Sequence, residues 1–105
     1  MKYRVLIVAE AEADLREIIQ QLRVESPVTV VKLQQELMAI SRQLEEFPYA
    51  YQASAEPTVR RACLHSTRHT VYFRVRGRVV EVAAVLPQRI DPSLTRERLG
   101  RTIVG

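Results

Sequence analysis

The apolar residues of the first half of the chain change from a continuous run to a helical spacing. Residues Lys2 to Val8 are rich in Val, Ile, Leu and Tyr, which predicts a short buried strand. Apolar residues then recur at intervals of three and four, at Leu15, Ile18, Ile19 and Leu22. This spacing predicts an amphipathic helix of about four turns. Acidic residues that favour a helix N-terminus are placed in its first turn: Glu10, Glu12 and Asp14.

A second helix is predicted to begin at Ser26-Pro27, because Ser is a good N-cap and Pro is tolerated at the first helical position. An apolar seam follows, formed by Val30, Leu33, Leu37, Ile40, Leu44 and Phe47. The seam stops at Pro48. Since the connection around Glu25–Pro27 is short, the two helices are predicted to form an antiparallel hairpin whose apolar stripes need a further surface to cover them.

The second half of the chain changes to the period of two that is typical of strands. Residues 48–57 have no sustained period and are predicted to be a loop, and Thr58–Ser66 is predicted to be the next strand. From Val71 to Arg76, apolar residues alternate with Tyr and Arg, which predicts a half-buried strand. Gly77 then marks a tight turn into Arg78–Leu86. Because that segment is apolar on both faces, we predict a central strand with the helices over one side.

Together these elements predict an α+β fold, in which a helical hairpin packs on a mainly antiparallel four-stranded sheet. The predicted order is strand, helix, helix, strand, strand, strand, followed by a polar tail over about residues 93–105. A chain of 105 residues with 47% hydrophobic content is long enough for one domain and too short for two. We therefore expect a single domain over residues 1–105.

The positive charge of the chain is concentrated in its second half. Residues 1–57 contain 6 Lys/Arg and 9 Asp/Glu, whereas residues 58–105 contain 10 Arg and 3 Asp/Glu, giving net charges of −3 and +7. Arginine makes bidentate contacts with phosphate and carboxylate groups. The asymmetry is explained either by an anionic partner or by arginines that solvate the outer face of a sheet, and composition leaves both open.

Several simple functional classes are disfavoured by the sequence. The apolar run near the start is only a strand long and is followed by acidic residues, so we expect neither an export signal nor a membrane span. Cys63, between Ala62 and Leu64, is interpreted as a small core residue. His65 and His69 lie across a strand–turn junction, which disfavours a shared metal ion. We expect a cytoplasmic protein without a metal or cofactor.

Three segments that cover nearly the whole chain resemble the RelE/ParE superfamily of type II toxin–antitoxin systems: Tyr3–Ile19, Ser26–Pro48 and Val59–Pro92. In the third, an Arg-Arg pair precedes a hairpin, and the strand VYFRV, a Val-rich strand and a terminal QRIDP follow in the usual order of the family. The resemblance implies a helical hairpin packed on an antiparallel sheet. It also implies a small cytoplasmic toxin with a cognate antitoxin.

The RelE branch of the superfamily cleaves ribosome-bound mRNA without a metal, through basic and aromatic side chains. The catalytic candidates under this alternative are His65, Arg68, Tyr72 and Arg89. Arg89 matches the C-terminal arginine of that branch. Other positions depart from it: His65 stands in place of an arginine, His69-Thr70 replaces the usual Tyr-Arg, and lysine is absent from residues 33–105.

The ParE branch instead binds and poisons DNA gyrase, and the chain resembles this branch more closely. The residues that carry the likeness are RIDP at Arg89–Pro92 and the arginine-bearing tail that follows. The arginines predicted to bind the target are Arg60, Arg61, Arg74, Arg89, Arg96 and Arg98. An interaction-only homologue without toxic activity is a third alternative.

The resemblance also implies an antitoxin whose disordered segment folds over the helical hairpin and the sheet edge. Apolar residues of the second helix that lie off the seam are the predicted contacts: Val28, Val31 and Met38. The expected partners are therefore an antitoxin and DNA gyrase, or the ribosome and mRNA under the alternative. The assembly is left open between a homodimer and a toxin–antitoxin hetero-oligomer.

Overall fold

A computed structural model describes residues 2–54 and 56–103, which form a five-stranded mixed sheet and three helices. The elements in chain order are β1 (Arg4–Ile7), α1 (Ala9–Glu25), α2 (Pro27–Glu46), a 3₁₀ turn (Pro48–Ala50), β2 (Gln52–Ala53), β3 (Arg60–Leu64), β4 (His69–Arg76), β5 (Val79–Pro87) and α3 (Pro92–Ile103). The strand order is β1-β5-β4-β3-β2, with β1 parallel to β5 and the other pairs antiparallel. The predicted α+β class is confirmed, with β2 as an additional two-residue strand in the predicted loop. Within the described residues, no helix is long and apolar enough to cross a membrane.

The helical hairpin forms where the apolar spacing predicts it, with Pro27 as the first residue of α2. Its N-cap differs from the prediction, because the Ser26 hydroxyl lies 2.7 Å from the Thr29 hydroxyl and makes no cap to a backbone N–H. The predicted apolar seam also ends early. Phe47 is exposed because α2 ends at Glu46 and the backbone departs from helical geometry there.

The hairpin covers one face of the sheet, called the hairpin face below. The buried cluster between them consists of Ala11, Leu33, Leu44, Ala62, Leu64, Val71, Phe73, Val80, Val82 and Val85. Phe73 is its largest fully buried side chain, and the Tyr51 ring packs against it edge-on with centroids 5.6 Å apart. Fully burying an aromatic side chain contributes about 1.5–3 kcal/mol, so this cluster is the main attachment of the hairpin to the sheet.

A β-bulge in β5 changes the face to which its side chains point. Tyr72 of β4 pairs with Ala84, whereas the next residue, Phe73, pairs with Val82, so Ala83 is an extra residue in β5. Because side chains in a strand alternate between faces, one inserted residue reverses the alternation beyond it. As predicted for a central strand, β5 therefore supplies apolar side chains to both faces of the sheet.

The opposite face of the sheet, called the α3 face below, is covered at one end by helix α3. The second buried cluster lies there and consists of Val59, Ala83, Ala84, Leu86 and Leu99, with Tyr72 and Ile90 packed against it. The segment predicted as a polar tail, about residues 93–105, is thus helical as far as Ile103. Residues 104 and 105 lie outside the described part of the chain.

Asp91 and Pro92 explain why α3 begins where it does. The Asp91 carboxylate accepts hydrogen bonds from the Ser93 N–H at 2.9 Å and the Ser93 hydroxyl at 2.8 Å. These bonds lower the pKa of Asp91. An Asp at the N-cap followed by Pro at the first helical position is a favoured helix start, so the RIDP motif has a local structural role.

A bidentate ion pair fastens α3 to α1 and β5. Arg98 donates to the two Asp14 carboxylate oxygens at 2.9 and 2.7 Å, and both side chains are largely buried. One of these oxygens also accepts the Val85 N–H at 2.9 Å, in the part of β5 beyond the residues paired with β1. The prediction that Asp14 lies in the first turn of α1 is therefore wrong, since Glu10 and Glu12 occupy that turn. Asp14 instead joins three elements.

Cys63 is exposed, contrary to its interpretation as a core residue. The strand β3 directs Ala62 and Leu64 to the hairpin face, where both are buried. Because side chains alternate along a strand, Cys63 points to the α3 face. That face is open at this position.

Replacing Asp14 with Ala should lower the free energy of unfolding by about 2–4 kcal/mol, because the Arg98 guanidinium and the Val85 N–H lose their acceptor in a largely buried position. Urea unfolding followed by circular dichroism measures the loss. Arg16→Ala is the matched control, since it breaks an exposed pair with Glu12 and should cost about 0.5 kcal/mol or less. Equal losses in the two variants would contradict the role assigned to Asp14.

Candidate functional site

A groove of about 190 Å³ lies on the α3 face, between α3 and strands β3 and β4. Arg61 reaches it from β3 and Arg96 from α3, while Tyr72 and Leu99 contribute apolar surface. Glu56 lines the same groove and supplies one negative charge. Two guanidinium groups beside an aromatic ring can bind phosphate or carboxylate groups while the apolar part of a partner packs against the ring.

The structure divides the six arginines predicted to bind a target into two groups. Arg61 and Arg96 line the groove, and the exposed Arg89 lies in the chain between Gln88 and Ile90, which line it as well. The other three make contacts inside the molecule: Arg60, Arg74 and Arg98. The groove therefore brings together two of the six predicted arginines, and a third, Arg89, lies next to it in the chain.

Each of the other three arginines has a structural partner. Arg60 donates to the Tyr51 carbonyl at 2.6 Å, and its guanidinium lies 5.1 Å from the centroid of the Tyr49 ring. Arg74 donates to Glu81 at 3.0 Å, and Arg98 pairs with Asp14. Arg60 thus fixes the turn after α2, while Arg74 and Arg98 neutralise internal carboxylates.

The four residues of the alternative nuclease site are placed on different parts of the surface. Tyr72 lines the groove, whereas His65 and Arg68 lie in the turn between β3 and β4. Arg89 follows β5, and its neighbour Gln88 donates its N–H to the Arg68 carbonyl at 2.9 Å. The turn and the end of β5 are therefore adjacent. Of the four nuclease candidates, however, only Tyr72 lines the groove, where it lies with Arg61 and Arg96.

The turn between β3 and β4 is held against α2 by Glu36. Its carboxylate accepts the N–H groups of His65 at 2.8 Å and Ser66 at 3.1 Å, together with the Ser66 hydroxyl. Burial disfavours the charged form, but these hydrogen bonds outweigh burial and hold the pKa of Glu36 below its usual value. Within the same turn, Arg68 has a φ of 56°, an uncommon value for a residue with a Cβ.

His69 begins β4 in a half-buried position, with Nδ1 at 2.9 Å from the Thr67 carbonyl. Burial lowers the pKa of His69, although the Thr67 carbonyl and the Asp14 charge act in the opposite direction. Burial therefore favours the neutral imidazole, and the contact with the Thr67 carbonyl needs the proton on Nδ1, because a carbonyl only accepts. In residues 2–54 and 56–103, no three His, Cys, Asp or Glu side chains are grouped so that they could hold a metal ion.

A second candidate surface runs along the outside of the helical hairpin. Val28, Val31 and Met38 are 68%, 53% and 57% exposed, as expected for residues off the seam. Their spacing of three and seven residues places them along one side of α2. Val24, near the end of α1, is also highly exposed, and it is not among the contacts predicted from the sequence. Its signal in the sequence is an apolar residue between Arg23 and Glu25, outside the apolar spacing of α1.

Comparison with known proteins gives three findings. A family model described as "ParE toxin of type II toxin-antitoxin system, parDE" matches residues 5–92. A solved structure described as "Chromosomal ParDE TA system from P. aeruginosa" is similar, with a TM-score of 0.69 and 22% identity, and the match covers 81% of this chain and 95% of that one. Among curated protein sequences, none matches significantly. At 22% identity the structural match shows the fold alone. The family model matches residues 5–92, which is most of the chain, and so shows the family.

Glu36→Gln should reduce the loss of stability in acid. The folded-state pKa of Glu36 lies below the unfolded value near 4.5, so its stabilisation is complete above the unfolded pKa and is lost as the pH falls through the folded pKa. Urea midpoints measured between about pH 7 and pH 3 should therefore decline more steeply for the wild type than for Glu36→Gln. The exposed Glu46→Gln is the control and should follow the wild type. Parallel curves for wild type and Glu36→Gln would show that this carboxylate does not hold the turn.

Proposed function

Because the chain belongs to the ParE toxin family of type II toxin–antitoxin systems, we propose that it inhibits DNA gyrase and is neutralised by a cognate antitoxin. Membership confirms the resemblance drawn from the sequence, including the preference for the ParE branch. The observation that carries the choice of gyrase over mRNA is the groove, which brings Arg61 and Arg96 beside Tyr72, whereas His65 and Arg68 of the nuclease set lie in the turn between β3 and β4.

The proposed target surface is the groove together with its rim. Arg61, Arg89 and Arg96 offer guanidinium groups to acidic side chains or phosphates, and Tyr72 and Leu99 offer apolar contact area. Charges at an interface steer association and fix orientation, while buried aromatic side chains carry much of the affinity. Such a surface is suited to binding a large complex, and inhibition by binding needs no chemical step from this chain.

The proposed antitoxin surface is the exposed strip of the hairpin, formed by Val24, Val28, Val31 and Met38. The three α2 residues span about 15 Å, at a rise of about 1.5 Å per residue, which matches an amphipathic segment of three turns. Exposed apolar residues of this kind are typical of partner-binding surfaces. A toxin–antitoxin hetero-oligomer in the cytoplasm, where gyrase acts, is the assembly that we propose.

Replacing Arg61, Arg89 and Arg96 with Gln should raise the concentration needed to inhibit gyrase by at least about tenfold, because three charged contacts are lost. A supercoiling assay with purified gyrase measures the effect, and circular dichroism confirms folding. The matched control is R16Q/R23Q/R42Q, which removes the same charge from exposed positions of the hairpin. The endonuclease alternative would be favoured if the wild-type protein left gyrase activity unimpaired and cut mRNA in a translating system. Primer extension detects such cuts, and Arg89→Ala should abolish them.

Replacing Val28 and Val31 with Ser and Met38 with Gln should weaken antitoxin binding by about 100-fold, since three apolar side chains leave the interface. Titration calorimetry with the cognate antitoxin measures the dissociation constant. Gln20→Ser with Gln43→Ser is the control, because both positions are exposed and lie off the strip. Unchanged affinity in the first variant would place the antitoxin elsewhere. The groove variant R61Q/R89Q/R96Q should bind the antitoxin normally.

A further inference from the structure

The part of the α3 face that α3 leaves open presents arginines from adjacent strands. Arg4 of β1 pairs with Val79 of β5, which in turn pairs with Arg76 of β4. Paired residues share a face, and neighbouring strands lie about 4.8 Å apart, so the Arg4 and Arg76 side chains start about 10 Å apart on the same side. The next row whose side chains point to this face is Leu6, Glu81 and Arg74. Leu6 is 46% exposed and Arg76 59% exposed, which shows that this end of the face is open.

The turn between β4 and β5 adds a further cation to this end of the sheet. Because Arg76 pairs with Val79, the turn consists of Gly77 and Arg78, with Gly77 at a φ of 57°. The Arg78 carbonyl accepts the Arg4 N–H at 2.8 Å, which keeps the start of β1 beside the turn. We call Arg4, Arg76 and Arg78 the tip patch.

Carboxylates neutralise little of the tip patch. Glu81 pairs with Arg74 at 3.0 Å and lies 3.7 Å from Arg76, so its charge is already balanced by the less exposed Arg74. In the part of the chain that the structure describes, Arg4 and Arg78 make no ion pair. Glu45 and Glu46 belong to α2 at the same end of the molecule, on the hairpin face, and the Arg78 guanidinium lies over Tyr3, which packs on that face as well. Among the described residues, no ion pair joins either carboxylate to the patch. The patch therefore carries a net positive charge toward solvent.

We propose that the tip patch binds the phosphate backbone of duplex DNA. Guanidinium groups bind phosphates bidentately, and contacts to the backbone supply most of the affinity of sequence-independent DNA binding. The strands and the two-residue turn fix the backbone positions of the three arginines, so binding has to order only their side chains. The proposal rests on the charge of this surface and does not depend on gyrase being the target.

The aromatic side chains near the patch favour duplex DNA over an unpaired strand. Proteins that bind single-stranded nucleic acid stack the bases on exposed aromatic rings. The nearest ring, Tyr3, is half-buried, lies under the Arg78 guanidinium at 5.3 Å, and packs edge-on against Tyr49. Tyr49 is 58% exposed, but the Arg60 guanidinium lies over its ring at 5.1 Å. Both rings therefore already have an arginine over one face, and the contacts that the tip patch offers are those with a phosphate backbone.

Fluorescence anisotropy with a labelled 20-base-pair duplex, measured between 50 and 200 mM salt, tests the proposal. R4Q/R76Q/R78Q should weaken binding at least about tenfold at 100 mM salt and reduce the slope of log affinity against log salt by about 2–3. The control R16Q/R23Q/R42Q removes the same charge from the hairpin and should change the affinity less than about threefold. Equal weakening in both variants would overturn the proposal, because the attraction would then follow net charge alone. Tighter binding of a single-stranded RNA of the same length would overturn the assignment to duplex DNA.

Arginine footprinting on the wild-type protein covers the case in which the triple variant does not fold. Phenylglyoxal modifies exposed arginines, and mass spectrometry locates the modified residues. The duplex should slow modification of Arg4, Arg76 and Arg78 severalfold and leave Arg16 and Arg42 unchanged. Uniform protection of all five, or none at the tip, would refute the proposal. Because neither experiment contains gyrase, its outcome is independent of the supercoiling assay.

Discussion

The Asp14 carboxylate is the contact on which the docking of α3, and so the candidate groove, depends. It accepts two hydrogen bonds from Arg98 and one from the Val85 N–H, and so joins α1, α3 and β5. A largely buried ion pair by itself adds little net stability, because both charges lose hydration. Here the carboxylate also satisfies a backbone donor that β1 is too short to reach. Docking of α3 in turn supplies Arg96 and Leu99, which form one wall of the groove.

Because of the bulge at Ala83, the single strand β5 contributes buried side chains to the cores on both faces of the sheet. Beyond it, Val85 takes the hairpin face, while Ala84 and Leu86 pack under α3. The apolar surface on both sides of β5 is thus covered by helices, and the polar and charged positions are left at the groove and at the open end of the sheet. The exposed strip of the hairpin and the groove on the α3 face consequently lie on opposite sides of the sheet, so substitutions in one of these two surfaces leave the side chains of the other in place.

Local patterns predicted the elements that bury a regular stripe, and missed those whose burial depends on distant residues. The spacing in α1 and α2, and the alternation in β4, are properties of neighbouring residues, so they could be interpreted directly. Helix α3 buries Leu99 and is otherwise mostly polar, so its apolar period is weak. Asp91-Pro92 nevertheless carried the same start signal as Ser26-Pro27. The bulge could not be predicted from the sequence pattern, because β5 is apolar at almost every position around it.

Charge composition predicted the kind of site but not which arginines form it, since that depends on where the carboxylates lie in space. Arg98 pairs with Asp14, 84 residues away in the chain, and Arg74 of β4 pairs with Glu81 of β5. These internal pairs use acids that could otherwise balance the surface. The groove with its rim and the tip patch together hold five of the ten arginines of residues 58–105. Carboxylates are fewer than arginines at both places, with Glu56 in the groove and Glu81 near the tip patch. This excess of positive charge favours an anionic partner over the solvation of a sheet face.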